Sequence, residues 1–236
     1  MRGLEGKRVV VTGGTSGIGE ATSRRFLEEG AQVVSLSLNT DEISNRLPGL
    51  VALQCDVADR EQVASAFEEI GEVDVLIANA GISIRKPFLE IDPADWQRVL
   101  DVNLTGVFHC AQEAARRMTA AGDGVILMTA STNGLTGHPF YADYNASKAG
   151  VILLARTMAR ELAPAVRVNA VCPGYVLTPM QRAEYSDAML AEVNASIPLG
   201  RHASPEEIAS LYAFLASDDG AYFTGAVLTI DGGETA

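Results

Sequence analysis

Seven short runs, nearly all apolar, recur along this chain with longer helix-patterned stretches between them. They are "RVVVT" (8–12), "QVVSL" (32–36), "LVALQCD" (50–56), "VDVLIANAG" (73–81), "GVILMTAS" (124–131), "VRVNAVCPG" (166–174) and "AVLTI" (226–230). A strand with one wet face alternates apolar and polar side chains, whereas one covered on both faces is apolar throughout. Such strands, alternating with helical segments, predict a parallel sheet whose right-handed crossovers put helices on both faces. The expected fold class is α/β, one doubly wound sheet of about seven strands.

The helical segments carry their own start signals. "DREQVASAFEEI" (59–70) reads as one helix, and 92–122 as a long one that opens with Asp92 as cap and Pro93 in the first turn. Another runs from about Tyr141 to Glu161, and a late one from Ser204 to about Ser217 opens on "SPEE". No repeat, linker or change of composition interrupts the pattern, so residues 1–236 read as a single domain. Only the stretch at about 175–200 departs from it, a polar helical excursion between strand and helix that is long enough to form a lid.

Composition removes several function classes. A formal net charge of −12 repels a phosphate backbone, so nucleic acid is not an expected partner. No run approaches the roughly 20 apolar residues that span a bilayer. The first ten residues are charged and lead into a strand without an apolar leader region, which points to the cytoplasm. Cys55, Cys110 and Cys172 stand far apart with no metal-ligand or disulfide spacing, so neither a metal nor a bridge is expected.

The first strand runs into "VVVTGGTSGIGEA" (9–21). Glycines there allow a sharp turn and close approach of a ligand to the backbone, and the helix start beyond offers N–H groups to a pyrophosphate. A glycine-rich turn alone could equally hold nothing. Its T-G-x-x-x-G-I-G spacing, however, resembles the cofactor loop of the short-chain dehydrogenase/reductase family, and the resemblance continues in order. "CDV" (55–57), "ANAG" (78–81), "DVNLTG" (101–106), "TAS" (129–131), "YNASK" (144–148), "CPGYVLTPM" (172–180) and "DGG" (231–233) follow, so it covers Gly6 to Gly233.

The resemblance implies a Rossmann-type domain that binds NAD or NADP and moves hydride between a secondary alcohol and a ketone. The matching catalytic positions are Asn103, Ser131, Tyr144 and Lys148. Tyr144 and Lys148 are four apart and share a helix face, so the ammonium is expected to favour the phenolate and make Tyr144 the general acid/base. Ser131, at a strand end, could bond the reacting oxygen, and Asn103 resembles the residue that holds a water linking the lysine to solvent. For the cofactor the resemblance implies Gly13, Thr15, Ser16, Gly17, Ile18 and Gly19 in the loop, with Ser37 and Leu38 at the ribose. Asp56 and Val57 fall at the adenine, Asn79, Ala80 and Gly81 at the adenosine ribose, and Tyr144 and Lys148 at the nicotinamide ribose. Pro173, Gly174, Val176 and Thr178 fall at the nicotinamide amide. Ser37, Leu38 and Ser16 supply neither the acid common in users of NAD nor the base common in users of NADP. With Asp41 close by and no cation for a 2′-phosphate, NAD is preferred, although Ser37 and Asn39 could also hold a phosphate.

Ser131, Asn133, His138, Tyr141 and Tyr175, together with Phe140, are expected to wall a mixed aromatic and hydrogen-bonding substrate site. A serine hydrolase is disfavoured because "TAST" (129–132) lacks the glycine-flanked elbow. The alternative from another class is a non-catalytic dinucleotide sensor or scaffold on the same fold. The family resemblance further implies a homo-oligomer, dimer or tetramer, assembled through the long helices.

Overall fold

The computed structural model of the protein describes residues 1–40 and 43–236; Asp41 lies outside the described residues. The elements are β1 (Arg8–Thr12), α1 (Gly17–Glu28), β2 (Gln32–Ser37), α2 (Ile43–Arg46), β3 (Val51–Gln54), α3 (Arg60–Ile70), β4 (Val75–Ala78) and α4 (Pro93–Leu100). There follow α5 (Gly106–Ala121), β5 (Gly124–Thr129), α6 (Ala142–Leu162), β6 (Val166–Pro173), α7 (Pro179–Glu184), α8 (Asp187–Ser196), α9 (Pro205–Ala216) and β7 (Val227–Ile230). Among the described residues the strands form one seven-stranded sheet in the order β3-β2-β1-β4-β5-β6-β7. Every pairing is parallel. The order reverses between β1 and β4, the crevice where doubly wound sheets take ligands at the carboxyl ends of their strands.

The all-apolar strands behave as their composition predicts. In β1, Val10 joins a core with Phe67 of α3, Met118 of α5 and Val151 of α6, while Val9 and Val11 face Phe26 of α1 and Tyr212 of α9. Successive side chains point to opposite faces, so a strand needs apolar residues at every position only when both faces are covered. The helices start where capping residues stand. Asp59 accepts from the backbone N–H groups of Glu61 and Gln62, and Asp92 from those of Ala94 and Asp95. Ser204 and Glu207 form a reciprocal capping box at the start of α9.

One departure from the sequence reading and one agreement with it bear on the site. The expected long helix at 92–122 is interrupted by one turn of π-helix, Asp101–Thr105, which lies between α4 and α5 and contains Asn103. The polar stretch after Gly174 folds into α7 and α8, capped by Thr178 and Ser186.

Candidate active site

The glycine loop is shaped by contacts that no side chain could tolerate. Gly13 (φ +66°) and Gly17 (φ +51°) lie in the left-handed region. A Cβ on Gly19 would stand 2.1 Å from the Gly13 carbonyl oxygen, so the first turn of α1 rests directly on the loop. Ser16 is the cap residue of α1, yet its hydroxyl makes no capping bond, which leaves the helix start open to an anion. Thr12, the residue before the loop, ties the neighbouring strand end to it. Its hydroxyl accepts from the N–H groups of Asn79 and Ala80, both at 2.9 Å, and its carbonyl accepts from the Asn79 amide at 3.1 Å. Nothing in the T-G-x-x-x-G-I-G spacing singles out Thr12 for this role, because its partners lie 67 and 68 residues away.

A trench runs along the carboxyl ends of the strands in three connected parts. The first is a cavity of about 680 Å³ lined by Thr15, Ser16, Ser37, Leu38, Asp56, Val57, Ala58 and residues of α4. The second, about 170 Å³, is lined by Gly13, Ser16, Gly17, Ile18, Asn79, Ala80, Gly81, Tyr144, Lys148 and Thr178. The third, about 80 Å³, is lined by Ser131, Asn133, His138, Tyr141, Tyr144, Gly174 and Tyr175, with Gln181, Glu184 and Tyr185 from the stretch after Gly174. A long crevice that begins at an open helix start and passes between glycines fits a dinucleotide. Pro173 and Val176 are buried and line none of the three parts, and Gly19 acts through packing.

The four expected catalytic residues converge where the second and third parts meet. Lys148, only 2% exposed, donates to the Thr129 carbonyl at 2.7 Å, and its ammonium lies 5.5 Å from the centre of the Tyr144 ring. Thr129 in turn bonds Tyr212 at 2.7 Å and donates to Asn79 at 3.3 Å. Asn103 grips one residue from both sides: its side-chain oxygen accepts from Ile82 N–H and its amide donates to Ile82 O, each at 2.8 Å. A Cβ on Gly81 would stand 3.2 Å from the Asn103 oxygen and 3.5 Å from the Lys148 nitrogen, so this glycine threads between the two. The Ser131 hydroxyl, which bonds Tyr144, also accepts from Asn133 N–H at 3.2 Å.

The electrostatics differ from the sequence expectation. Burial pushes the Tyr144 phenol up to about 12, against the Ser131 hydrogen bond that lowers it, and the Glu184 charge raises it further. Burial likewise pulls Lys148 down to about 8. In the protein by itself burial, not the lysine, sets the direction of the phenol's shift.

In the first cavity, where the adenosine is expected, the Ser37 hydroxyl is bonded to Ser35 at 2.9 Å, and Leu38 is 66% exposed. Asp56 holds the Ala58 N–H at 2.9 Å. Two arginines that the sequence reading passed over lie nearby. Arg46 donates to Glu20 at 2.8 Å and to the Thr15 carbonyl at 3.2 Å, and Arg98 of α4 lines the first cavity. At the other end, Phe140 is turned away from the pocket: it is 42% exposed, has φ +73° and lies under the Arg85 guanidinium at 4.3 Å. Tyr141 caps the start of α6 and donates to Glu184 at 2.8 Å.

Residues 13–235 match the sequence model of the family described as Enoyl-(Acyl carrier protein) reductase. The chain is 44% identical to cis-4-hydroxycyclohexanecarboxylate dehydrogenase of Sinomonas cyclohexanicum, with 96% of each chain covered. It is similar to the solved structure of a short-chain type dehydrogenase/reductase from Mycobacterium marinum, with TM-score 0.91, 38% identity and coverage of 99% of this chain and 97% of that one. The aldohexose dehydrogenase of Thermoplasma acidophilum superposes with TM-score 0.91 at 31% identity, over 98% and 95% of the two chains. With its parallel sheet, its glycine loop and these relatives, the chain belongs to the short-chain dehydrogenase/reductase family and is an NAD(P)-dependent oxidoreductase acting on secondary alcohols or ketones.

Proposed function

We propose that Tyr144 is the proton-transferring residue of this oxidoreductase, with Ser131 bonding the reacting oxygen and Lys148 holding the nicotinamide ribose and tuning the phenol. The observation that carries this reading is the position of Tyr144: it lines both the nicotinamide part of the trench and the pocket beyond it. A bound nicotinamide supplies the hydride acceptor or donor and, when oxidised, a positive charge that favours the phenolate. The chain's residues do the rest. Tyr144 takes the hydroxyl proton of the alcohol, or returns it to the ketone oxygen, and Ser131 keeps that oxygen in place. Asn103 holds the Ile82 backbone beside Gly81, which fixes the channel wall next to Lys148.

Residues 1–236 act in this reading as one nucleotide-binding domain, with about 175–200 as a lid over the substrate. The Glu184 bond to Tyr141 supports that role, because it closes α7 onto the start of α6. NAD is preferred over NADP. Ser37 and Leu38 offer no charge to a 2′-phosphate, and Arg46 is engaged by Glu20 and Thr15. Arg98 is the cation a 2′-phosphate could recruit, so NADP is the competing arm of the assay. The relatives' named substrates include a hydroxycyclohexanecarboxylate and an aldohexose. A working homo-oligomer in the cytoplasm completes the proposal; no helix among the described residues is long and apolar enough to cross a membrane.

The test is nicotinamide reduction followed by absorbance, with NAD and NADP, for wild type and Tyr144→Phe. Loss of a positioned acid/base costs on the order of 10²–10⁴-fold in turnover, so the variant should fall by that factor while still binding cofactor. A folded Tyr144→Phe protein with wild-type turnover refutes the assignment.

A further inference from the structure

The pocket beyond Tyr144 is acidic and holds an unused donor. Glu184, on the last turn of α7, accepts from the Tyr141 hydroxyl at 2.8 Å and from the Ser83 hydroxyl across the pocket. Glu234, near the chain's end, lies 3.3 Å from His138 Nε2 and accepts from Thr132 at 3.5 Å. Burial lowers the His138 pKa, so this imidazole is a poor counter-charge for that acid at neutral pH. No lysine or arginine lines the pocket. The side-chain nitrogen of Gln181, which does line it, is buried without a hydrogen-bond partner. An unpartnered buried amide costs free energy until an acceptor reaches it, which marks it as a group that a ligand would satisfy.

These groups define what the site can take. A carboxylate arriving here meets Glu184, with Glu234 behind His138 and Thr132, and no lysine or arginine lines the pocket to offset them. A hydroxyl can do what the pocket lacks: its oxygen accepts from Gln181 while its proton goes to a free lone pair of Glu184. The cavity is also small, about 80 Å³, and its rim is tied by the Glu184 bonds, so a compact ring suits it better than a long acyl chain.

We propose that this site selects a compact, uncharged secondary alcohol that carries a neighbouring hydroxyl, as in a cyclic diol, polyol or sugar, with Gln181 and Glu184 reading that second hydroxyl and Glu184 excluding carboxylates. The inference rests on the reading of Tyr144 as the proton-transferring residue, and the experiment separates the two. Two substrate pairs isolate one feature each: trans-cyclohexane-1,2-diol against cyclohexanol for the second hydroxyl, and 4-hydroxycyclohexanecarboxamide against 4-hydroxycyclohexanecarboxylate for charge. A hydrogen bond to a charged group is worth roughly a tenfold to hundredfold preference, so the diol and the carboxamide should each lead by about that factor in kcat/KM.

Gln181→Leu should collapse the diol preference, mainly through KM, and Glu184→Gln should collapse the discrimination against the carboxylate. Gln181→Leu removes an unpartnered polar group, so it keeps the fold testable even if Glu184→Gln loosens α7. A wild-type enzyme that prefers the carboxylate or cyclohexanol, with turnover lost in Tyr144→Phe, overturns the substrate class and leaves the catalytic reading standing. Preferences unchanged in both folded variants also overturn it, as does a cofactor-binding enzyme with no turnover on any of the four compounds. Turnover that survives in Tyr144→Phe removes the reading beneath it.

Discussion

Lys148 gives a measurable signature of the candidate site without any substrate. An ammonium buried to 2% exposure, with one backbone carbonyl as its bonded partner, is pulled from an ordinary 10.5 to about 8. Below about pH 8 the folded protein must carry that charge out of water, whereas the unfolded chain keeps it solvated. Between about 8 and 10.5 the unfolded state binds the proton and the folded state does not, so stability rises with pH across that window. Each pH unit in the window is worth about 1.4 kcal/mol, which makes the full penalty about 3 kcal/mol at neutral pH.

Lys148→Met keeps the length of the stem and removes the charge. The lost hydrogen bond to Thr129 shifts the variant's stability by a similar amount at every pH and drops out of the slope. The advantage of the variant over wild type, measured by urea unfolding of cofactor-free protein, should therefore shrink by about 2 kcal/mol between about pH 7 and pH 9.5. Every other titrating group is common to both proteins and cancels. Two stability curves that stay parallel across that interval would show that Lys148 is not held at a lowered pKa, and the account of its burial would fail.

Two further outcomes follow from the loop and the helix surfaces. In Gly19→Ala the new Cβ collides with the Gly13 carbonyl at 2.1 Å, so the loop must shift. Overpacking of this kind costs about 1–3 kcal/mol, and NADH affinity, read by fluorescence, should fall at least about tenfold. Trp96 of α4, Phe108 of α5 and Leu153 of α6 are exposed apolar residues on the long helices. Light scattering at micromolar concentration should report a dimer or tetramer, which Phe108→Glu with Leu153→Glu shifts towards monomer; a monomeric wild type contradicts the proposed assembly.

The sheet was legible in the sequence because covering both faces of a strand leaves a continuous apolar run, and β1 begins and ends at the residues that its run predicts, Arg8 and Thr12. Strand ends were less so: the run 50–56 yields only Val51–Gln54, since Cys55 and Asp56 turn away into the crevice wall. The short α2 escaped because four residues carry no periodicity. Tyr144 and Lys148 could be paired from their spacing on one helix, but the state of the phenol could not, because it depends on burial by distant elements. Glu184 was invisible for the same reason: its partners Ser83 and Tyr141 lie 101 and 43 residues away, and a lone acid in a polar stretch looks like solvated surface. Phe140 shows the reverse error, an aromatic beside the motif that turns out to stack under Arg85.

The π-turn at Asp101–Thr105 makes the α4–α5 segment a register device. Each residue advances a helix by about 100°, so one extra residue in a single turn rotates everything beyond it relative to everything before. Deleting one residue here would let a regular helix form and would swing either Asn103 off Ile82 or the Cys110–Ala111–Ala114 stripe of α5 off the sheet. Single-residue deletions at 101–105 should therefore be among the most damaging in the chain, more so than replacing Asp101 or Thr105 in place. Sensitivity to the length of this turn, rather than to its composition, is what the geometry of Asn103 demands.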